Sequence, residues 1–197
     1  MSWFGHTKDV GNVLIQWANA GVTMSWETWG GGAMANYAYP TGTGAPIVPN
    51  HLTPGISLVC LDLPLLALVE NNWENQAGIH AIYADIINNG ANGLRATGIG
   101  ASMNSYTLNG GSGPPLGHLV FFNGIGHVAV ATGQQATHLG TTGTEIVSFW
   151  TDVLGNPPAG GGPVANTPVM FDTIERLAAS QPVGILTPVT TAKPAWR

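Results

Sequence analysis

Between Ile56 and Val69 the chain runs for fourteen residues in which only Ser57, Asp62 and Pro64 interrupt an otherwise apolar stretch. A segment this apolar has to be buried, yet it is shorter than the roughly twenty residues a membrane-spanning helix requires. It reads as the core helix of a soluble protein, continuing towards Trp73. Pro64 is tolerated only in a first helical turn, so the helix is expected to start near Asp62, with Asp62 as its N-cap. The rest of the chain must supply the surfaces that cover it.

Two further helices are legible. Lys8 to Ala20 places Val10, Val13, Leu14 and Trp17 at helical spacing, with Asp9 in the first turn and Gly21 as a stop. Gly78 to Asn88 repeats the pattern with Ile79, Ile82, Tyr83, Ile86 and Ile87. Residues 30–55, rich in Gly and Pro, read mostly as loop. After Asn88 the character changes to turn signals between short β-prone runs, Leu119 to Phe122, Val128 to Thr132 and Glu145 to Trp150. Residues 155–163 read as a loop, a short helix is expected from about Phe171 to Ala179, and a Pro-rich tail follows. Helices first and antiparallel strands afterwards is the α+β pattern. The expected organisation is one domain over residues 1–197, with a core at about 50–152 and a loop-rich C-terminal extension at 153–197.

Charge excludes several classes of partner. Only 8% of residues are charged, against about 25% in ordinary soluble domains. The net charge of −5 leaves no basic stripe for nucleic acid and no polybasic patch for an anionic membrane. Cys60 is the sole cysteine, which rules out an internal disulfide and any multi-cysteine metal site. No basic region followed by an apolar run opens the chain, so no secretory signal is visible. The expectation is a soluble protein without membrane insertion, either cytoplasmic or exported by a non-Sec route.

The single cysteine has two readings. It is a small buried hydrophobe, or it is a nucleophile whose thiol is acidified by a helix amino terminus and a neighbouring imidazole. Its place, where the loop gives way to the core helix, suits the second. So does the later pair of strands, Gly117-His118-Leu119-Val120-Phe121-Phe122 and Gly126-His127-Val128-Ala129-Val130-Ala131-Thr132-Gly133, in which a histidine enters the second strand.

Together with Val59-Cys60-Leu61-Asp62-Leu63, these segments resemble the papain-like cell-wall amidases and peptidases of the CHAP and NlpC-type families, over roughly residues 50–152. The resemblance rests on a Cys-x-Asp-Leu helix start, a hydrophobic strand ending in Phe, and a Gly-His-Val strand. It implies a papain-like α+β fold with Cys60 as nucleophile and His127 as base. Two positions depart from the pattern. Gly117-His118 stands where the families usually carry Gly-Asp, and no glutamine or aspartate immediately precedes Cys60.

The resemblance also calls for a third residue on the strand returning beside the histidine. Ser148, two before Trp150, occupies the position of the papain-type asparagine. Asp152, just past the strand, and His138, in a Gly/Thr-rich loop, are the alternatives in that order. His118 beside His127 lacks the carboxylates a metal site needs. His6, His51 and His80 read as surface or loop residues. Trp26 and Trp29, with Tyr37 and Tyr39, either line a substrate groove or pack the core.

The expected activity is hydrolysis of an amide bond through an acyl-enzyme, without metal or organic cofactor. The resemblance implies peptidoglycan peptides as substrate. One alternative is a papain-like effector or toxin that cleaves or deamidates proteins, for which a cognate immunity or inhibitor protein is a further partner. The other is a catalytically silent binding module built on the aromatic first third.

Overall fold

Residues Asp62 to Val69 of the core helix are all buried, so the helix shows no polar face at all. A helix that is apolar all round has to be surrounded on every side. In the computed structural model, which describes residues 6–27, 32–89, 103–124, 126–150, 164–179 and 189–194, this is α3 (Asp62–Glu70). It follows α1 (Thr7–Asn19) and α2 (Ala33–Ala38), and α4 (Gln76–Asn89) comes next. α1 turns Val10, Leu14 and Trp17 inward and packs on α3, while α2 packs on α3 and α4. Gly11 and Gly117 let α1 sit directly on the turn before the strands. A Cβ on Gly117, whose φ is +82°, would lie 1.7 Å from the Thr7 carbonyl oxygen.

Among the described residues eight strands form one mixed sheet. They are β1 (Thr23–Trp26), β2 (Ser57–Leu58), β3 (Asn104–Ser105), β4 (Leu119–Phe122), β5 (His127–His138), β6 (Thr141–Phe149), β7 (Val164–Thr173) and β8 (Val189–Ala192). Their order is β2-β1-β7-β6-β5-β4-β8-β3, with β1 and β2 parallel and the other pairs antiparallel. A short helix, α5 (Ile174–Ala179), follows β7 and packs on β6 and β7. The sheet curls at β7, whose first half, to Pro168, pairs with β1 and whose second half, from Val169, pairs with β6. Asn166, at a φ of 57°, stands where the β1–β7 register slips.

The class is α+β, but several details differ from the sequence reading. The sheet is not confined to the second half of the chain, because β1 and β2 come from its first third. The segment expected as a loop-rich extension supplies β7, in the middle of the sheet, and β8, beside β4. Asn166 and Pro168 hid β7, since proline inside a run argues against a central strand. α2 lies within residues read as mostly loop. The stretch before Glu145 is no long loop either: β5 runs to His138 and turns through Leu139 and Gly140 directly into β6.

That turn has positive φ at both central residues, 48° at Leu139 and 81° at Gly140, as a type I′ hairpin requires. Leucine is costly there, by about 1 kcal/mol or more, and its side chain is exposed, so packing does not reward it. Leu139→Asn is expected to raise stability by about 0.5–1 kcal/mol, read from the urea midpoint at unchanged m-value.

Candidate functional site

The head of α3 is a closed turn built around one carboxyl group. Asp62 N–H donates to the Val59 carbonyl at 3.0 Å, and Asp62 Oδ2 accepts from Val59 N–H at 3.0 Å. The Asp62 side chain thus satisfies a backbone donor three residues back, in the turn that leads into the helix. Leu61, not Asp62, occupies the N-cap position, so Asp62 acts from inside the first turn. The other carboxyl oxygen accepts from the Tyr83 hydroxyl of α4. Asp62 is fully buried, and burial pushes its pKa up to about 7 against those two donors, with Glu27 nearby adding to the rise. Burial and the adjoining Asp62 raise the Tyr83 hydroxyl as well.

Cys60 is held within this turn. Its sulfur faces the backbone N–H groups of Val128, Leu61 and Cys60 itself, which brings it against the first residues of β5. A helix amino terminus and three N–H donors would acidify an exposed thiol. Cys60 is half-buried, and desolvation of its thiol outweighs them, helped by Asp62, so that the thiol is pushed up to about 11. The sequence expectation of an acidified Cys60 is therefore reversed, because a thiolate in this setting loses more hydration than the donors return.

His127 opens β5, pairs with Phe122 of β4 and is fully buried. Val130 faces Val147 and Ala131 faces Ile146, so Trp150 falls opposite His127 and Ser148 lies on its diagonal. The result is a contact of 2.9 Å between His127 Nε2 and Ser148 Oγ. The imidazole also packs against Trp150 at 4.6 Å and Phe122 at 5.6 Å between ring centres. Its Nδ1 has no hydrogen-bond partner among the described residues. Burial alone depresses the pKa to about 3, so the ring is neutral.

A cavity of about 370 Å³ adjoins the thiol, lined by Cys60, Trp26, Trp150, Ile86, Ile87 and Glu27 among others. The two indoles meet edge to face at 5.8 Å. Of the four buried side-chain polar atoms without a partner among the described residues, three belong here: His127 Nδ1, Trp26 Nε1 and Trp150 Nε1. Native interiors leave few such atoms unpaired, and these three cluster around the Trp150 ring.

Other sequence candidates lie apart from this constellation or outside the described residues. His138 is the last residue of β5, not a loop residue, and its Nε2 meets Glu145 Oε1 at 2.7 Å. Asp152 and Trp29 fall outside the described residues. Tyr37 lines a separate cavity of about 540 Å³ bounded by the 40–56 loop. Tyr39 packs against His80 with its ring tilted, His51 pairs with Glu70 and packs on Trp17, and His6 pairs with Asp9 and stacks on Trp73. Among the described residues no three His, Cys, Asp or Glu side chains gather as a metal site, and no helix is long and apolar enough to cross a membrane.

Glu27 and Trp150 were not read from the sequence as part of the site. β1 is only four residues long, and Trp150 reads as an ordinary strand-end aromatic. Comparison with protein-family models, with curated proteins and with solved structures gives no match.

The two buried titrations oppose one another. Asp62, raised to about 7, contributes stability that is present at low pH and is lost as pH climbs from its unfolded value of about 4 towards 7. His127, lowered to about 3, is already proton-free in the native state while the unfolded chain protonates below about 6.5. Its stability is therefore present above that value and is lost as pH falls towards 3. Between pH 4 and 6.5 the native state holds the Asp62 proton and the unfolded state the His127 proton, so the two slopes cancel. Asp62→Asn is expected to leave a stability that rises with pH there by about 1.4 kcal/mol per unit relative to the parent, and His127→Gln one that falls by a similar amount. Urea titrations at half-unit pH steps read both. The neutral thiol makes a separate prediction: alkylation of Cys60 by iodoacetamide should speed up about tenfold per pH unit from pH 7 to 10, without the plateau of a preformed thiolate.

Proposed function

We propose that the protein is a papain-like, cysteine-dependent amide hydrolase, with Cys60 as nucleophile, His127 as base and Ser148 as the residue that orients the imidazole. The observation that carries this reading is the state of His127. One ring nitrogen is engaged by Ser148, and the other is buried with no hydrogen-bond partner among the described residues, the Cys60 sulfur included, one residue before Val128, which lines the thiol cavity with Cys60. Order along the chain supports it too: cysteine at a helix head, histidine at a strand start, and a return strand carrying the third residue.

With Ser148 accepting from Nε2–H, Nδ1 carries the basic lone pair. Both partners start neutral, so proton transfer accompanies attack and no ion pair stands ready beforehand. The sulfur bonds to the amide carbon as its proton passes to Nδ1, and the carbonyl electrons move onto oxygen. Backbone N–H groups at the helix head, that of Cys60 foremost, are the donors for that oxyanion. The C–N bond then breaks, the proton leaves with the amine, and a water deprotonated by Nδ1 releases the acid from the thioester. Resemblance to the CHAP and NlpC-type families makes peptidoglycan peptides the substrate of choice.

Purified protein is expected to release new amines from peptidoglycan, and Cys60→Ala to abolish this with an unchanged circular dichroism spectrum. Ser148→Ala should lower kcat by on the order of tenfold, since a neutral residue controls tautomer and orientation but adds no charge. With the base near 3 and the thiol near 11, kcat/KM should show no inflection around pH 6.5. Release from proteins but not from peptidoglycan would move the substrate to the effector class. Full activity of Cys60→Ala would remove the nucleophile.

A further inference from the structure

Glu27 puts a carboxylate on the wall of the thiol cavity, and nothing in the amide chemistry above uses it. The residue follows β1, whose neighbour β2 leads into the head of α3, and its N–H donates to the Leu58 carbonyl at 2.8 Å. Its Oε2 accepts from the Ser57 hydroxyl. No Lys or Arg among the described residues forms an ion pair with it, so among these residues the charge has one neutral donor and no counter-ion. The rest of the lining is dominated by Trp26, Trp150, Leu61, Ile86 and Ile87. A half-buried carboxylate beside an apolar wall, with no cation paired to it among the described residues, attracts a ligand of opposite charge.

We propose that this cavity is a subsite for a primary ammonium on a short aliphatic stem, with Glu27 as counter-charge and the indoles of Trp26 and Trp150 as its aromatic walls. The proposal rests on the hydrolase reading and names the substrate feature next to the scissile amide. Indole faces attract ammonium ions, and the Ile86 and Ile87 side chains suit the methylenes of the stem. An anionic substituent would meet the Glu27 carboxylate. At about 370 Å³ the cavity lies at the small end of ligand pockets and fits one substituent better than a whole peptide. The ammonium belongs either to a lysine-like side chain or to the free amino terminus of a short peptide.

Protection of Cys60 from iodoacetamide at pH 7, read by mass mapping over hours, measures occupancy whether or not Cys60 hydrolyses anything. n-Pentylammonium is expected to halve the alkylation rate at a concentration on the order of tenfold lower than n-pentanol, and n-hexanoate to protect no better than pentanol. Glu27→Gln should erase the ammonium's advantage and leave protection by pentanol unchanged, whereas Glu27→Asp, which keeps the charge, should retain part of it. Nα-acetyl-lysine amide protecting better than norleucine amide assigns the side-chain source, and the reverse order assigns the terminal one. Equal protection by pentylammonium and pentanol, no protection by pentylammonium, or an advantage that survives Glu27→Gln overturns the subsite. Loss of peptidoglycan activity with this pattern intact would overturn the hydrolase reading alone.

Discussion

The carboxyl group of Asp62 is the joint on which the site depends. It closes the turn that carries Cys60, bonds to Tyr83 and so ties α3 to α4, and leaves no room for a side chain at position 32, where a Cβ would come within 2.9 Å of Oδ2. A buried carboxyl is expensive unless its oxygens are occupied, and both oxygens are. Because the helix behind it is apolar on every face, α3 cannot rotate or slide without exposing leucines. The cysteine is thus fixed by hydrogen bonds at one end and by hydrophobic burial along the rest.

The same burial sets the chemistry. Removing water raises the Cys60 thiol and lowers the His127 imidazole, so both groups stay neutral at pH 7. A carboxylate in the place of Ser148 would pull the imidazole towards its charged form and would itself need desolvation. Serine holds the ring by one contact and adds no charge to a position packed between Phe122 and Trp150. The dry surroundings that make a resting ion pair unfavourable also strengthen every hydrogen bond to charge that develops during a reaction.

How much of this was legible follows from which interactions are local. α1, α3 and α4 were readable because their apolar periodicity and the placement of Pro64 are local signals. β4 was readable from its compact apolar run, and Ser148 from the position two before Trp150 that the resemblance singled out on the return strand. β7 was not, because its pairing to β1 and β6 overrides the preferences of Asn166 and Pro168. The hairpin at Leu139 and Gly140 lacked the usual Asn-Gly signal, which hid the strand position of His138. The direction of the Cys60 shift was also out of reach. Sequence shows a thiol before a helix, whereas desolvation depends on α4, β5 and Trp150 closing around it. Glu27 became visible only when β1 and β2 were seen side by side.

One electrostatic tension remains inside the site, and it links the proposed subsite to the chemistry. In the proposed reaction, attack by Cys60 would place negative charge on the carbonyl oxygen, with the Asp62 carboxyl opposing it and Glu27 on the cavity wall. Asp62 already contributes to the raised thiol. The backbone N–H groups of Cys60, Leu61 and Val128 counter this in part, since fixed dipoles act strongly where water is excluded. A cation seated against Glu27 would neutralise that carboxylate's part of the negative field and lower the cost of forming the oxyanion, with no change in the protein. A neutral substituent filling the same volume would leave that field standing. Under this reading, substrate charge would enter the barrier as well as the affinity, because its attraction to the site grows as negative charge develops.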